Sequence, residues 1–277
     1  MIRLNNLKNI LMSSYVFGTR SELDSAVSAW ISNQSEAIST YGDINSWDVS
    51  GITDFSELFS GRENFNSDIS NWDVSSGTNF SSMFKKCWYF NQDISGWDVG
   101  SGTNFSYMFY DSDSFVTDIS SWNTSKGTNF SYMFAGAAAF NIDLNIWDVS
   151  KGTDFSYMFS NIKGLYVFNQ NLDKWDVGSG TNFSGMFKDN QVFNQDLSTW
   201  NVSKGTDFSY MFSGTKSFNQ DLSSWDVSSG EDFSYLFSAS LAAPNIYIKE
   251  DYKLNPDISN WEVGSGTNFS GMFKDNE

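Results

Sequence analysis

The residues most able to do chemistry in this 277-residue chain are its aspartates. One row lies four residues before a recurring Trp: Asp43, Asp68, Asp93, Asp118, Asp143, Asp196, Asp221 and Asp257. A second row follows the Trp directly, at Asp48, Asp73, Asp98, Asp148, Asp176 and Asp226. Stacked about 4.8 Å apart, such carboxylates could hold calcium, a hard cation that wants several oxygens. Asp68, Asp93 and Asp118 are the candidate ligands; no other cofactor is implied. The competing reading has each carboxylate accept backbone N–H bonds and fix its own turn. Asn123, Asn171 and Asn201 replace Asp at single repeats, which a turn tolerates better than an ion site does.

Catalysis finds little support. Glycoside hydrolysis needs two carboxylates in different environments, and a row of near-equivalents offers no such pair. The chain has no His, which removes His triads, His metal sites and the commonest general base. Its Ser residues lack an activating partner. The single cysteine, Cys87, can form neither an internal disulfide nor a Cys-rich metal site. The expectation is a protein without enzymatic activity and without catalytic residues.

Aromatic side chains are the other resource. Tyr107, Tyr132, Tyr157, Tyr210 and Tyr235 share one slot of the repeat. Such a ladder can stack on glycans, bury against a partner, or simply pack between neighbouring coils. Two insertions break the pattern, near 161–167 and 239–254. They should bulge from one edge, with Tyr166, Tyr247 and Tyr252 as partner-binding anchors. A lattice match to ice is not expected, because the residue before Trp varies freely, from Ser46 through Ile146 to Asn260.

The elements that must position these groups follow from a repeat. Trp falls at 47, 72, 97, 122, 147, 175, 200, 225 and 261, at intervals of 25 except where the insertions lie. Around each Trp one phrase returns, as in Phe90-Asn91-Gln92-Asp93-Ile94-Ser95-Gly96-Trp97-Asp98-Val99 and then Gly102-Thr103-Asn104-Phe105-Ser106-Tyr107-Met108-Phe109. All but one of the 26 Phe occupy three fixed slots of it. Trp97 and Val99, two apart, predict a short β-strand facing inward. Phe105, Met108 and Phe109, at i, i+3 and i+4, predict a helical turn. The expected fold is a repeat solenoid, leucine-rich-repeat-like, with short parallel strands and helical turns in nine coils over 40–277. Before it, 20–39 reads as a capping helix and link, opened by the capping box Thr19-Arg20-Ser21-Glu22. Residues 1–19 read as a docking segment, with Leu4, Leu7 and Leu11 as a helical stripe for a partner. Residues 177–190 and 263–276 are the same fourteen residues, and the last coil lacks a polar cap. Self-association or assembly through that coil is therefore expected.

The formal charge of −17 sets the surface against nucleic acid and anionic lipid. No stretch approaches the roughly 18 apolar residues of a membrane span. The longest apolar run near the start, 10–12, is too short for a signal-peptide core, and no cysteine follows for lipid attachment.

The phrase FNQDISxWDVS followed by TNFSxMF, over about 40–277, resembles the leucine-rich-like repeats of bacterial surface proteins of the BspA and mycoplasma-lipoprotein type. Similar arrays occur in viruses of aquatic microbes. The resemblance implies a right-handed leucine-rich-repeat-like solenoid, displayed on a surface, associated with adhesion and not catalytic. Departures are Gly at 77, 102, 127, 152, 180, 205, 230 and 266 where a hydrophobic residue is usual, and Phe55, Phe80 and Phe105 where Met is common. Function is expected to be adhesion, or protein or glycan binding, at an extracellular surface. The alternative is a structural subunit of a virion, docked through its N-terminal segment and open C-terminal face.

Overall fold

The structure is a computed structural model that describes residues 14–164, 167–239, 254 and 256–276. Tyr166, Tyr247, Tyr252, Leu4, Leu7 and Leu11 lie outside the described residues. The chain enters through Tyr15 and Phe17, which bracket Asp48: Phe17 N–H donates to the Asp48 carbonyl and Asp48 N–H to that of Tyr15. Helix α1, Arg20–Ser32, opens with a reciprocal box, the Thr19 side chain accepting from Glu22 N–H while Glu22 accepts from Thr19 N–H. Leu23, Ala26, Val27 and Trp30 form its buried face. Asn33 then caps helix α2, Gln34–Tyr41, which stops at Gly42 with φ of 78°. The α1 helix also closes the first face of the repeats. The Arg20 guanidinium donates to the carbonyls of Asp54 and Ser56, at 3.0 and 2.6 Å.

A 3₁₀ turn at Ile44–Ser46 leads into the repeats. Past it the structure overturns the expected strand-plus-helical-turn, leucine-rich-repeat-like solenoid. Among the described residues there is no further helix, and pairing is limited to isolated parallel bridges at one position per repeat, Asp54 to Asn79 to Asn104 and onward to Asn268. The inward alternation of Trp97, Asp98 and Val99 is present, but Trp97 N–H closes a turn on Ile94 and Gly102 N–H closes another on Val99. Two bends so close together leave no length over which a strand ladder can form.

The expected helical turn fails for a local reason. Phe105 accepts from Met108 N–H, Tyr107 from Tyr110, and Phe109 from Ser112, giving consecutive i to i+3 turns. Tyr107 and Asp111 are left-handed, with φ of 57° and 59°, which no helix accommodates. The alternate N–H groups point along the stack instead. Phe105, Tyr107, Phe109 and Asp111 donate to Asn129, Ser131, Met133 and Ala135 of the next repeat, at 2.8–2.9 Å. Turn closure and stacking thus share the backbone donors between them. Apolar spacing alone cannot distinguish this pattern from a helix, because Phe105, Met108 and Phe109 are buried in both.

Four aromatic columns run through the core, with Ile or Leu, Val and Met rows beside them. Phe80 stacks on Phe105 at 5.6 Å, Phe84 on Phe109 at 5.6 Å, Phe90 on Phe115 at 6.2 Å and Trp200 on Trp225 at 6.4 Å. The recurring glycine has a steric cause: a Cβ at Gly102 would fall on the Phe105 ring and within 3.0 Å of the Val99 carbonyl. Beside these columns runs a polar seam, in which Asn91 N–H and Gln92 Nε2 both donate to the Asn66 side-chain carbonyl.

Candidate functional site

The slot holding Tyr107 is left-handed in every repeat. Its occupants are Glu57, Ser82, Tyr107, Tyr132, Tyr157, Gly185, Tyr210, Tyr235 and Gly271, with φ between 54° and 62°. Left-handed backbone costs an ordinary residue about 1–2 kcal/mol and a glycine almost nothing. Five tyrosines nevertheless stand there. Their rings are half-buried and run along one edge as two ladders. Tyr107, Tyr132 and Tyr157 stack at 4.5 and 4.6 Å, and Tyr210 and Tyr235 at 4.8 Å.

Each ladder has the same two ends. Lys85 Nζ lies over Tyr107, 5.0 Å from its centre, and Lys188 Nζ lies over Tyr210 at 5.1 Å. At the other end the last ring lies against a glycine, Tyr157 on Gly185 and Tyr235 on Gly271, where a Cβ would collide with it. Tyr110 leans on the first ladder, 5.4 Å from Tyr107. Burial raises the phenol pKa values of Tyr107, Tyr132, Tyr157 and Tyr210, and neighbouring phenols add to the effect. The hydroxyls are therefore protonated at neutral pH and able to donate hydrogen bonds.

The described part of the first insertion folds back beside this edge. Lys163 pairs with Asp111 and Asp113, the latter at 2.9 Å, and its Nζ lies 5.4 Å from the centre of the Trp88 ring. Ile162 covers Gly136, and the Asn161 side chain accepts from Lys163 and Gly164 N–H. Residues 161–164 are thus laid across the two preceding repeats. Spacing arguments missed this clasp and the Lys caps. The signal was present in the recurrence of Lys one repeat before each run of Tyr.

The candidate calcium ligands are engaged in turns. Asp93 accepts from Ser95 N–H and hydroxyl, Asp118 from Ser120 N–H, and Asp68 from Ser70 N–H and Asn45 Nδ2. These bonds hold Asp93 and Asp118 below the usual carboxylate range. Among the described residues no group of three or more His, Cys, Asp or Glu is placed to hold a metal ion. An open groove of about 600 Å³ lies between α1 and the first repeat, lined by Trp30, Ile31, Arg62 and Phe65. No described helix is long and apolar enough to cross a membrane.

One family model matches, described as DUF285, a mycoplasma protein of unknown function, over residues 31–145, 103–166, 143–248 and 242–277. No curated protein and no solved structure matches the chain.

Proposed function

The chain belongs to this mycoplasma repeat family of unknown function, and from that premise we propose that it is a non-catalytic binding protein acting at an extracellular surface. The stripe of Tyr107, Tyr132 and Tyr157, with Lys85, Tyr110 and the clasped loop at 161–164, is its recognition edge for a protein or a glycan. One observation carries the reading. Tyr occupies a left-handed slot that Gly fills without strain, and strain of this kind is retained where a side chain has work to do. The likeness to BspA-type surface repeats supports display and adhesion. Assembly into a virion is the second reading, on the likeness of the phrase to arrays found in viruses of aquatic microbes.

The test applies the full chain to an array of immobilised glycans and purified extracellular-matrix proteins. A Tyr107→Ser, Tyr132→Ser double variant that keeps its melting midpoint within a few degrees should lose the binding that the parent shows. Undiminished binding by that variant removes the stripe from the account.

A further inference from the structure

We infer that Lys163 and Asp111 become joined in the folded protein by an amide bond between Nζ and Cγ, a modification that locks the first insertion onto the repeats. The inference concerns how residues 161–164 are held, and it does not depend on what the recognition edge binds.

Such a bond needs an amine, a carboxyl and a second carboxyl to carry protons, and all three meet at the clasp. Lys163 Nζ touches Asp111 Oδ1, one bond away from the carbon it would attack. It also donates to both carboxylate oxygens of Asp113, at 3.1 and 2.9 Å. The Asp111 side chain is 9% exposed, against 38% for Asp113. Its Oδ1 is buried beside Gly136, which Ile162 covers, and among the described residues Lys163 alone pairs with it. The Trp88 ring flanks the ammonium at 5.4 Å. Other repeats place Lys86 and Trp88, Gly136 and Ala138, or Asp189 and Gln191 in the slots of Asp111 and Asp113. The stack itself therefore does not demand paired carboxyls there.

The backbone is fixed on both sides of the bond. Asp111 N–H donates to the Ala135 carbonyl, and the Asp113 carbonyl accepts from Ala139 N–H. Opposite, the Asn161 side chain accepts from Lys163 and Gly164 N–H, and Asn161 N–H donates to the Lys188 carbonyl. Groups held in this way have a high effective molarity, which offsets the unfavourable condensation of an amine with a carboxyl in water. Burial lowers the Lys163 pKa, but the bonds to Asp111 and Asp113 raise it further, so the resting pair is ammonium and carboxylate. Reaction begins when a proton passes from Nζ to Asp113. The amine then attacks Asp111 Cγ, the Nζ–Cγ bond forms and one Cγ–O bond breaks. Two protons leave Nζ in the course of the step. Asp113 carries each in turn to the same Asp111 oxygen, which departs as water, and no oxidant or other reactant is consumed.

The test measures the intact mass of the full chain after denaturation and maps it after trypsin digestion. Expected are a mass one water below that of the sequence and a branched peptide in which Lys163 carries the segment containing Asp111. Cleavage after Lys163 should be absent. Lys163→Arg keeps the cation, and Asp113→Asn keeps both groups that bond; each should restore the full mass. The melting midpoints of both variants should fall about 5–10 °C below that of the parent, as on loss of a cross-link. A parent of full mass that is cleaved after Lys163 overturns the inference, as does a water lost within an unbranched peptide. A branched peptide that forms undiminished in Asp113→Asn overturns the proton-carrying step.

Discussion

The indole N–H of Trp97 donates to the carbonyl of Ile69, 28 residues earlier, at 3.2 Å. Trp72 does the same to Ile44, Trp147 to Ile119 and Trp200 to Leu172, each across 28 residues. Across the two insertions the interval lengthens to 31 for Trp175 and Leu144, and to 39 for Trp261 and Leu222, yet the bond is kept. The bond is therefore independent of the length of chain that separates its partners. The bond fixes register because a buried indole N–H has no alternative acceptor if a repeat slips.

Trp147→Phe keeps an aromatic ring, though a smaller one, and removes this donor, leaving the Ile119 carbonyl short of its partner. A loss of about 1–3 kcal/mol is expected from urea denaturation midpoints. Trp147→Ala, which also opens a cavity, should cost about 3–5 kcal/mol. A neutral Trp147→Phe would show that ring stacking alone sets the register.

Gly102→Ala should destabilise by about 1–3 kcal/mol, since the new methyl has to displace the Phe105 ring. Gly96→Ala is the control. It has open space around the new methyl and should leave the urea midpoint nearly unchanged.

The repeat period, the Trp and Phe slots and the Thr19–Glu22 box were legible because each is a direct signature of side-chain burial or capping. The backbone path was not. Phe105, Met108 and Phe109 show the spacing of a helix face, and nothing in their types says that Tyr107 between them is left-handed. That conformation turns alternate N–H groups towards the carbonyls of the next repeat, a tertiary arrangement that a local pattern does not reveal. The glycine at 102 carried part of the message, a ring packed where a Cβ would be. The Asp rows invited a cation reading because the turn that absorbs each carboxylate uses the commonplace Ser two residues on.

Stability should be flat between about pH 5 and 9, since no His titrates there. Hydrogen bonds from Ser75, Ser95 and Ser150 lower the pKa values of Asp73, Asp93 and Asp148 in the fold. Their contribution is complete above about pH 4 and vanishes as pH falls through the lowered values. The raised phenols of Tyr107 and Tyr157 act in the opposite sense. Their contribution is complete below about pH 10 and is lost as pH rises through the folded-state values. Melting midpoints measured across this range check both limbs. Because turns absorb the Asp carboxylates, adding EDTA at neutral pH should leave the midpoint in place; a drop would restore the calcium reading.

Cys87 is wholly buried, its thiol donates to the Phe59 carbonyl at 3.0 Å, and burial pushes its pKa up to about 12. A thiol-specific chromogenic disulfide should therefore leave the native chain unlabelled at mildly alkaline pH and label one site after denaturation. Rapid native labelling would place Cys87 outside the core.

Gly185 separates two reasons for a glycine, and a double-mutant cycle with Tyr157 distinguishes them. Its φ of 58° alone makes Gly185→Ala cost about 1 kcal/mol. The Tyr157 ring lying against it adds a collision, so the single variant should lose about 2–3 kcal/mol. Tyr157→Ala removes the ring and with it the collision. In that background Gly185→Ala should cost only the backbone share, giving a coupling of about 1–2 kcal/mol between the two sites. A coupling near zero would mean that Tyr157 swings away freely. The end of the first ladder would then be open to an incoming ring or sugar instead of sealed against the following repeat.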